Sequence, residues 1–479
     1  MSAILPLAQP KAWAKALNQP ATEFTLTALT VIAGQIPEGL RGSLYYNGPA
    51  RLERNGVKVG HWFDGDGAVL AVHFAETGAQ GAYRYVRSAG YQDEEATGQF
   101  LYGGYGMTAP GPIWARWNKQ LKNAANTSVL ALPDQLLALW EGGNPHALDL
   151  QTLDTIGLET LGALSANCTY SAHPKCDPKT GEIFNFGVVP GGNATLNLYR
   201  SNTTGRIIKQ NSIPLNGIPL IHDFTLAGKY LVFCVPPVRL NALPTVFGFY
   251  SFSDALMWQP KQGSQILVID RDTLEVVSWG EADPWYQWHF GNSYVDFDGA
   301  VVLDLVRYED FQTNQRLKEV ATGQIHTVAE GKLWQIHLRP QTGKITHTET
   351  LIDRSCEFPM VPAHQVGQDV ASTYLSIHPK AGNSTQELLG AIARYDPQTR
   401  TLTEADLGAN RYPNEPIYAR DAITPDNGWI LTLIYDGNLD QSEVWIYNSA
   451  RLNDEPVCRL ALPGVVPPGF HGTWKATSH

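Results

Sequence analysis

From Leu40 onward, hydrophobic and polar residues alternate in short runs broken by Gly, Asn, Asp and Pro. Such period-two runs read as half-buried strands, and few stretches keep a helical period beyond two turns. The pattern predicts an all-β protein. Residues 1–35 read differently, as a short amphipathic helix over Lys11–Leu17 followed by an extended segment. They are set apart as an N-terminal extension to a single domain spanning 36–479.

The strands recur in phase. A strand–turn–strand unit appears seven times, centred near residues 76, 151, 202, 271, 340, 397 and 449. The turns carry the residues that turns need: Asp396-Pro397-Gln398-Thr399 and Pro340-Gln341-Thr342-Gly343 place Pro where φ is fixed and Gly where it is positive. The spacings of 75, 51, 69, 69, 57 and 52 residues exceed the ~40–50 residues of a four-stranded propeller blade, so the units read as blades with loop insertions. Seven hairpins in one phase favour a seven-bladed β-propeller over a sandwich.

Upstream of several hairpins, at the start of what should be the innermost strand, stands a histidine: His173, His222, His289 and His471. Asn126-Thr127, His364 and Arg420 hold the same station in other units. In a propeller these stations form one ring at one mouth of the central channel, so side chains scattered along the chain converge. Four imidazoles with no cysteine nearby suit Fe(II), Zn or Cu. Neutral ligands leave the ion's charge uncompensated, so carboxylates should stand just behind, accepting each ring's other N–H. Glu141, Glu357 and Glu415 lie in apolar surroundings where an unpaired carboxylate is costly, which makes them the candidates.

Composition narrows the partners. A net charge of −11 with no Lys/Arg block argues against nucleic acid. Five cysteines without a C-x-x-C pair fit a reducing compartment. No secretory signal is evident at Met1-Ser2-Ala3, and no run reaches the ~18 apolar residues of a membrane span. The expectation is a cytoplasmic protein, soluble or attached peripherally to a membrane. Two insertions bear on the second option. Residues 105–123 place Ile113, Trp117 and Leu121 on one predicted helix face with Arg116, Lys119 and Lys122 alongside, the pattern of an interfacial helix. Residues 240–258 carry Phe247, Phe249, Tyr250, Phe252, Met257 and Trp258, a composition for a tunnel wall or an apolar entrance. Together they predict a loop and helical cap over the metal-bearing face. There is no nucleophile elbow, zincin motif, P-loop or dinucleotide fingerprint. Asp64-Gly65-Asp66-Gly67 reads as a tight turn, because the glutamate an EF-hand loop needs is missing.

These residues resemble the carotenoid cleavage oxygenases. The likeness runs from about Leu40 to the C-terminus and rests on ordered motifs. They are Tyr46-Asn47-Gly48-Pro49, His61-Trp62-Phe63-Asp64-Gly65-Asp66-Gly67, Ala172-His173-Pro174-Lys175, His222-Asp223-Phe224, His289-Phe290-Gly291-Asn292, Glu357-Phe358-Pro359, Glu415-Pro416 and Phe470-His471-Gly472-Thr473-Trp474. The resemblance implies a seven-bladed propeller with one axial Fe2+ held by His173, His222, His289 and His471. Glu141, Glu357 and Glu415 would orient His222, His289 and His471. It also implies O2 and an apolar polyene as reactants, with up to two metal positions left open, Thr127 near one of them. No protein group need act as acid or base.

Within the family the sequence is most similar to the bacterial branch that splits the central 15,15′ double bond of apocarotenals or apocarotenols into retinal and a second aldehyde. Trp140 matches a tunnel aromatic of that branch, whereas stilbene-cleaving relatives carry a lysine there. Ala68 departs from the methionine many members have. Phe63, Trp140, Trp288 and Phe358 are candidate tunnel residues. A stilbene- or phenylpropene-cleaving oxygenase, an isomerohydrolase and a non-catalytic propeller that binds a protein partner are the rival readings.

Overall fold

The computed structural model describes residues 11–117, 119–367, 372–380 and 386–477. Seven antiparallel sheets form the blades of a propeller. Each of the seven foreseen hairpins joins the third and fourth strands of a blade, counted from the axis. In blade 5, for example, Tyr286–Val295 is innermost, followed by Val301–Tyr308, Lys332–Arg339 and Lys344–Ile352. Inner strands of neighbouring blades touch around the axis. Apolar clusters fill the gaps between blades, as where Phe184, Phe186, Leu196 and Leu198 of blade 3 meet Leu226, Leu231 and Phe233 of blade 4.

The ring closes through both ends of the chain. Gly472–Ala476 is the innermost strand of blade 1, paired with Gly42–Arg51. At the rim, Phe24–Ala28 pairs with Gly78–Tyr85 of blade 1. Thr30–Gly34 pairs with Cys458–Ala461 of blade 7. The boundary expected at residue 35 therefore falls inside the propeller, since residues 24–34 supply outer strands to two blades. The strands are short and mostly exposed, which is why their pattern does not announce them. Ala12–Leu17 is a short 3-10 helix that buries Trp13, Ala14, Ala16 and Leu17.

A cap covers one mouth of the channel. It contains α1 (Ala89–Thr97), α2 (Ile113–Arg116), α3 (Ala242–Val246) and α4 (Gln312–Val320). The helix face expected from Ile113 to Leu121 does not form. α2 is a single turn, Trp117 turns extended at φ −61° and ψ 133°, and Leu121 bridges to Gly103 instead. The reason lies one residue on. Lys122 is buried, with Nζ 2.8 Å from both Asp66 and Glu94. A buried charge pair outweighs the few tenths of a kcal/mol that side-chain spacing adds to an exposed helix. α4, inserted between the second and third strands of blade 5, was not foreseen. It packs against the Trp62–Asp64 turn.

Candidate metal centre

The axial ring is built by division of labour. Blades 3, 4, 5 and 1 deliver His173, His222, His289 and His471, each at or beside its innermost strand. Blades 6 and 7 deliver Glu357 and Glu415, and blade 2 delivers Thr127 and Glu141. His364 and Arg420 do not share the station: His364 lies in the Ala363–Gln365 turn and Arg420 ends the strand Ile417–Arg420.

The four histidines are buried, and one nitrogen from each lies within 4.8 Å of all the others. His173 Nε2 is 3.0 Å from His222 Nε2, which is 3.3 Å from His289 Nε2. Three rings are held from behind. The Glu141 carboxylate abuts His222 Nδ1, Glu357 Oε2 is 2.6 Å from His289 Nδ1, and Glu415 Oε1 is 3.2 Å from His471 Nδ1. Among the described residues no carboxylate pairs with His173, whose backbone N–H donates to Ser171 Oγ at 3.2 Å.

This arrangement tests its own fit to a metal. An Nδ1–H that donates to a carboxylate leaves the Nε2 lone pair facing inward. Lone pairs at these separations repel unless a cation lies between them. Ligands ~2.1 Å from one ion sit ~3.0 Å apart at right angles and ~3.4 Å apart in a tetrahedron, which brackets the His173–His222 and His222–His289 spacings. Burial first, and the neighbouring rings second, push the pKa of His173 and His289 well below the usual histidine value. Both are therefore neutral, as ligands must be.

Backbone and nearby side chains fix the ring further. Asp223 Oδ2 accepts from Phe290 N at 3.0 Å, Oδ1 accepts from Phe224 N at 2.7 Å, and Lys175 Nζ lies 2.8 Å away. One carboxylate thus ties together the chain beside His222 and His289. Tyr308 Oη donates to Glu357 Oε1 at 2.9 Å, and burial pushes Glu357 up to about 7. Sequence reasoning missed both. Asp223 could have been found, since it adjoins a candidate ligand. Tyr308 could not, because it ends a strand that reads as core. Phe358 has φ +56°, a rare conformation for a bulky residue. Its ring stacks on His289 with centroids 5.4 Å apart and meets His471 edge-on at 5.3 Å.

A cavity of about 490 Å³ opens onto this ring. Phe63, Trp140, Trp288, Phe358 and Thr127 all line it, as do Tyr105, Phe252 and Phe470. Trp288 is held by its indole N–H, which donates to Thr313 Oγ1 at 2.9 Å. Trp140 folds over Gly142, where a Cβ would come 2.5 Å from its ring. Thr127 keeps its carbonyl for His471 N at 3.3 Å. The Asp64-Gly65-Asp66-Gly67 carboxylates are committed elsewhere: Asp64 accepts from His61 N and Gly106 N, and Asp66 pairs with Arg54 and Lys122.

A propeller with four axial histidines, three of them backed by carboxylates, defines a class of metal-dependent oxygenase. Residues 17–476 match the family described as retinal pigment epithelial membrane protein, RPE65, and the chain belongs to that family. It is 31% identical to the apocarotenoid-15,15′-oxygenase of Synechocystis, over 93% of this chain and 92% of that one. It is 25% identical to resveratrol cleavage oxygenase 1 of Aspergillus fumigatus, over 92% and 91%. The crystal structure of cobalt-substituted Synechocystis ACO superposes with a TM-score of 0.87 at 30% identity, covering 97% of this chain and 98% of that one. The protein is an oxidoreductase of the carotenoid cleavage oxygenase group.

Proposed function

We propose that the protein binds one Fe2+ through His173, His222, His289 and His471 and cleaves an apocarotenal or apocarotenol with O2 at the central 15,15′ double bond, giving retinal and a second aldehyde. One observation carries the reading: four clustered imidazoles, three of them backed by carboxylates, stand at a cavity that His222, His289 and His471 help to line and that aromatic and aliphatic side chains wall. An all-nitrogen site suits Fe(II), which supplies the means to activate O2 beside a bound olefin. The chain's own residues hold and orient. Glu141, Glu357 and Glu415 set the imidazole tautomers. Phe63, Trp140, Trp288 and Phe358 position the polyene and exclude water, and Thr127 faces the reacting region. Trp140 offers no ammonium to hold a phenol, which supports a polyene over a stilbene.

The approach to the cavity supports delivery from a membrane surface. The two insertions adjoin, with Arg116 against Gly248 and Ser253 N donating to Tyr105 O at 2.7 Å. Together they expose Trp114, Trp117, Leu243, Phe247 and Phe249, and Leu121 and Val246 also line the cavity. Such a patch suits docking on a bilayer, where long polyenes dissolve. No helix of the described residues is long and apolar enough to cross a membrane.

The test is incubation of iron-loaded protein with β-apo-8′-carotenal under air, with products identified by mass. Retinal is expected. Aldehydes of other lengths would move the scissile bond, and cleavage only of olefins bearing a 4-hydroxylated ring would replace the polyene with a stilbene. For the membrane, wild-type protein should sediment with lipid vesicles, and Trp114→Glu with Phe249→Glu should not.

A further inference from the structure

Most of the cavity wall is apolar, but a polar stretch remains besides the residues around the metal centre. His378 follows the second strand of blade 6, Thr373–Ile377, and its backbone N–H donates to Ser355 O at 3.0 Å. It lines the cavity together with Ser355 and with Arg316 of α4. The residue is 4% exposed, and its Nδ1 has no hydrogen-bond partner. Burial, then Arg316 and Arg354, push its pKa down to about 4, so the ring is neutral with one donor and one acceptor nitrogen. Arg316 is fixed beside it by donating to Thr327 O at 3.1 Å and to Glu387 O at 2.6 Å. A buried ring nitrogen left unpaired costs stability, and nothing in the chemistry at the metal uses these groups.

We infer that His378, with Arg316 beside it, forms a subsite for an oxygen-bearing end of the substrate, a carbonyl or carboxylate. The inference rests on the polyene reading of the cavity. Along an apolar wall a conjugated chain slides with little change in energy. One polar anchor at an end breaks that degeneracy and sets which double bond lies at the metal. His378 supplies a hydrogen bond, and the guanidinium supplies a positive field that favours an electron-rich oxygen over a methyl group.

The test uses three polyenes of equal length that end in an aldehyde, a carboxylate or a methyl group. Binding to the iron-loaded protein is read by quenching of tryptophan fluorescence, without turnover, and cleavage products are identified separately by mass. The aldehyde and acid should bind about 5–10-fold more tightly than the methyl compound, the range one hydrogen bond supplies. His378→Leu should erase that preference and scatter the cleavage position, while His378→Gln, which keeps a donor and an acceptor, should retain both. If His378→Leu does not fold, His378→Phe refills the ring volume. Equal binding of all three compounds by the wild type overturns the subsite, as does an equal loss for all three in the variant. Absence of cleavage for every compound overturns the polyene reading instead, and the subsite then stands or falls on binding alone.

Discussion

Among the described residues, two of the buried polar clusters are opposites in one respect. Beneath the cap, Arg54, Asp66, Glu94 and Lys122 are all 6% exposed or less. Lys122 Nζ is 2.8 Å from both carboxylates and Arg54 Nη2 is 2.7 Å from Asp66. Two positive groups face two negative ones, and Glu94 also accepts from Leu101 N and Tyr102 N. Arg54 also reaches outward to Glu95, with Nη1 2.8 Å from its carboxylate. On the axis, three carboxylates stand behind four imidazole rings, and among the described residues no Lys or Arg pairs with those carboxylates. The first cluster ties α1 and the 105–123 insertion to blade 1. The second is built with a deficit that a metal ion could fill. Buried charge that is compensated holds a fold together, whereas buried charge left uncompensated at a cavity is a binding site.

The comparison can be broken from either side. The largest effect is expected for His222→Ala, which should take bound iron from about one ion per chain to none detectable and activity to background. Elemental analysis with a melting curve would show whether the fold survives. Next is Lys122→Met, which leaves two carboxylates buried beside a single cation and should cost ~3–5 kcal/mol of stability. Iron content in the folded fraction should not change. A mild effect on denaturant unfolding would mean that the cluster is not the anchor described.

Asp304 sharpens the contrast, because it is buried with a hydrogen bond from Gln335 Nε2 at 3.0 Å and pairs with no cation among the described residues. Burial pushes it up to about 7. The folded form therefore holds its proton where the unfolded chain has released it, and stability falls as pH rises from about 4 through about 7. Asp304→Asn should remove that decline, up to ~4 kcal/mol across the window, in unfolding measured at pH 4.5 and 7.5. Smallest is Glu357→Gln. It keeps the shape but weakens the hold on His289 and should lower metal affinity about 10–100-fold, read by competition with a chelator. An unchanged affinity would make Glu357 a packing residue.

Much of this was legible from the residues. The seven hairpins were visible because turn chemistry and strand alternation are local, and their common phase implied a ring. Four histidines at one phase then implied an axial site. What failed failed for non-local reasons. Lys122 looked like the basic edge of an interfacial helix until Asp66 and Glu94 claimed it from 56 and 28 positions away. α4 and the rim strands at residues 24–34 carry weak patterns, and tertiary contacts alone make them regular. His364 and Arg420 kept the right interval but lie off the ring, since loop lengths within blades vary.

The sequence by itself determined that strands would recur around a closed wheel and which imidazoles would meet on its axis. Both follow from short-range patterning repeated in register. The family resemblance named Glu141, Glu357 and Glu415 as partners of His222, His289 and His471, but only the tertiary structure decided across which blades and at what distances those pairs are made. Glu357 and Glu415 each reach a ring on the neighbouring blade, while Glu141 reaches past blade 3 to His222, and no carboxylate among the described residues backs His173. Those pairings span 56 to 81 positions and depend on where closure sets each blade, a distance that no local pattern encodes.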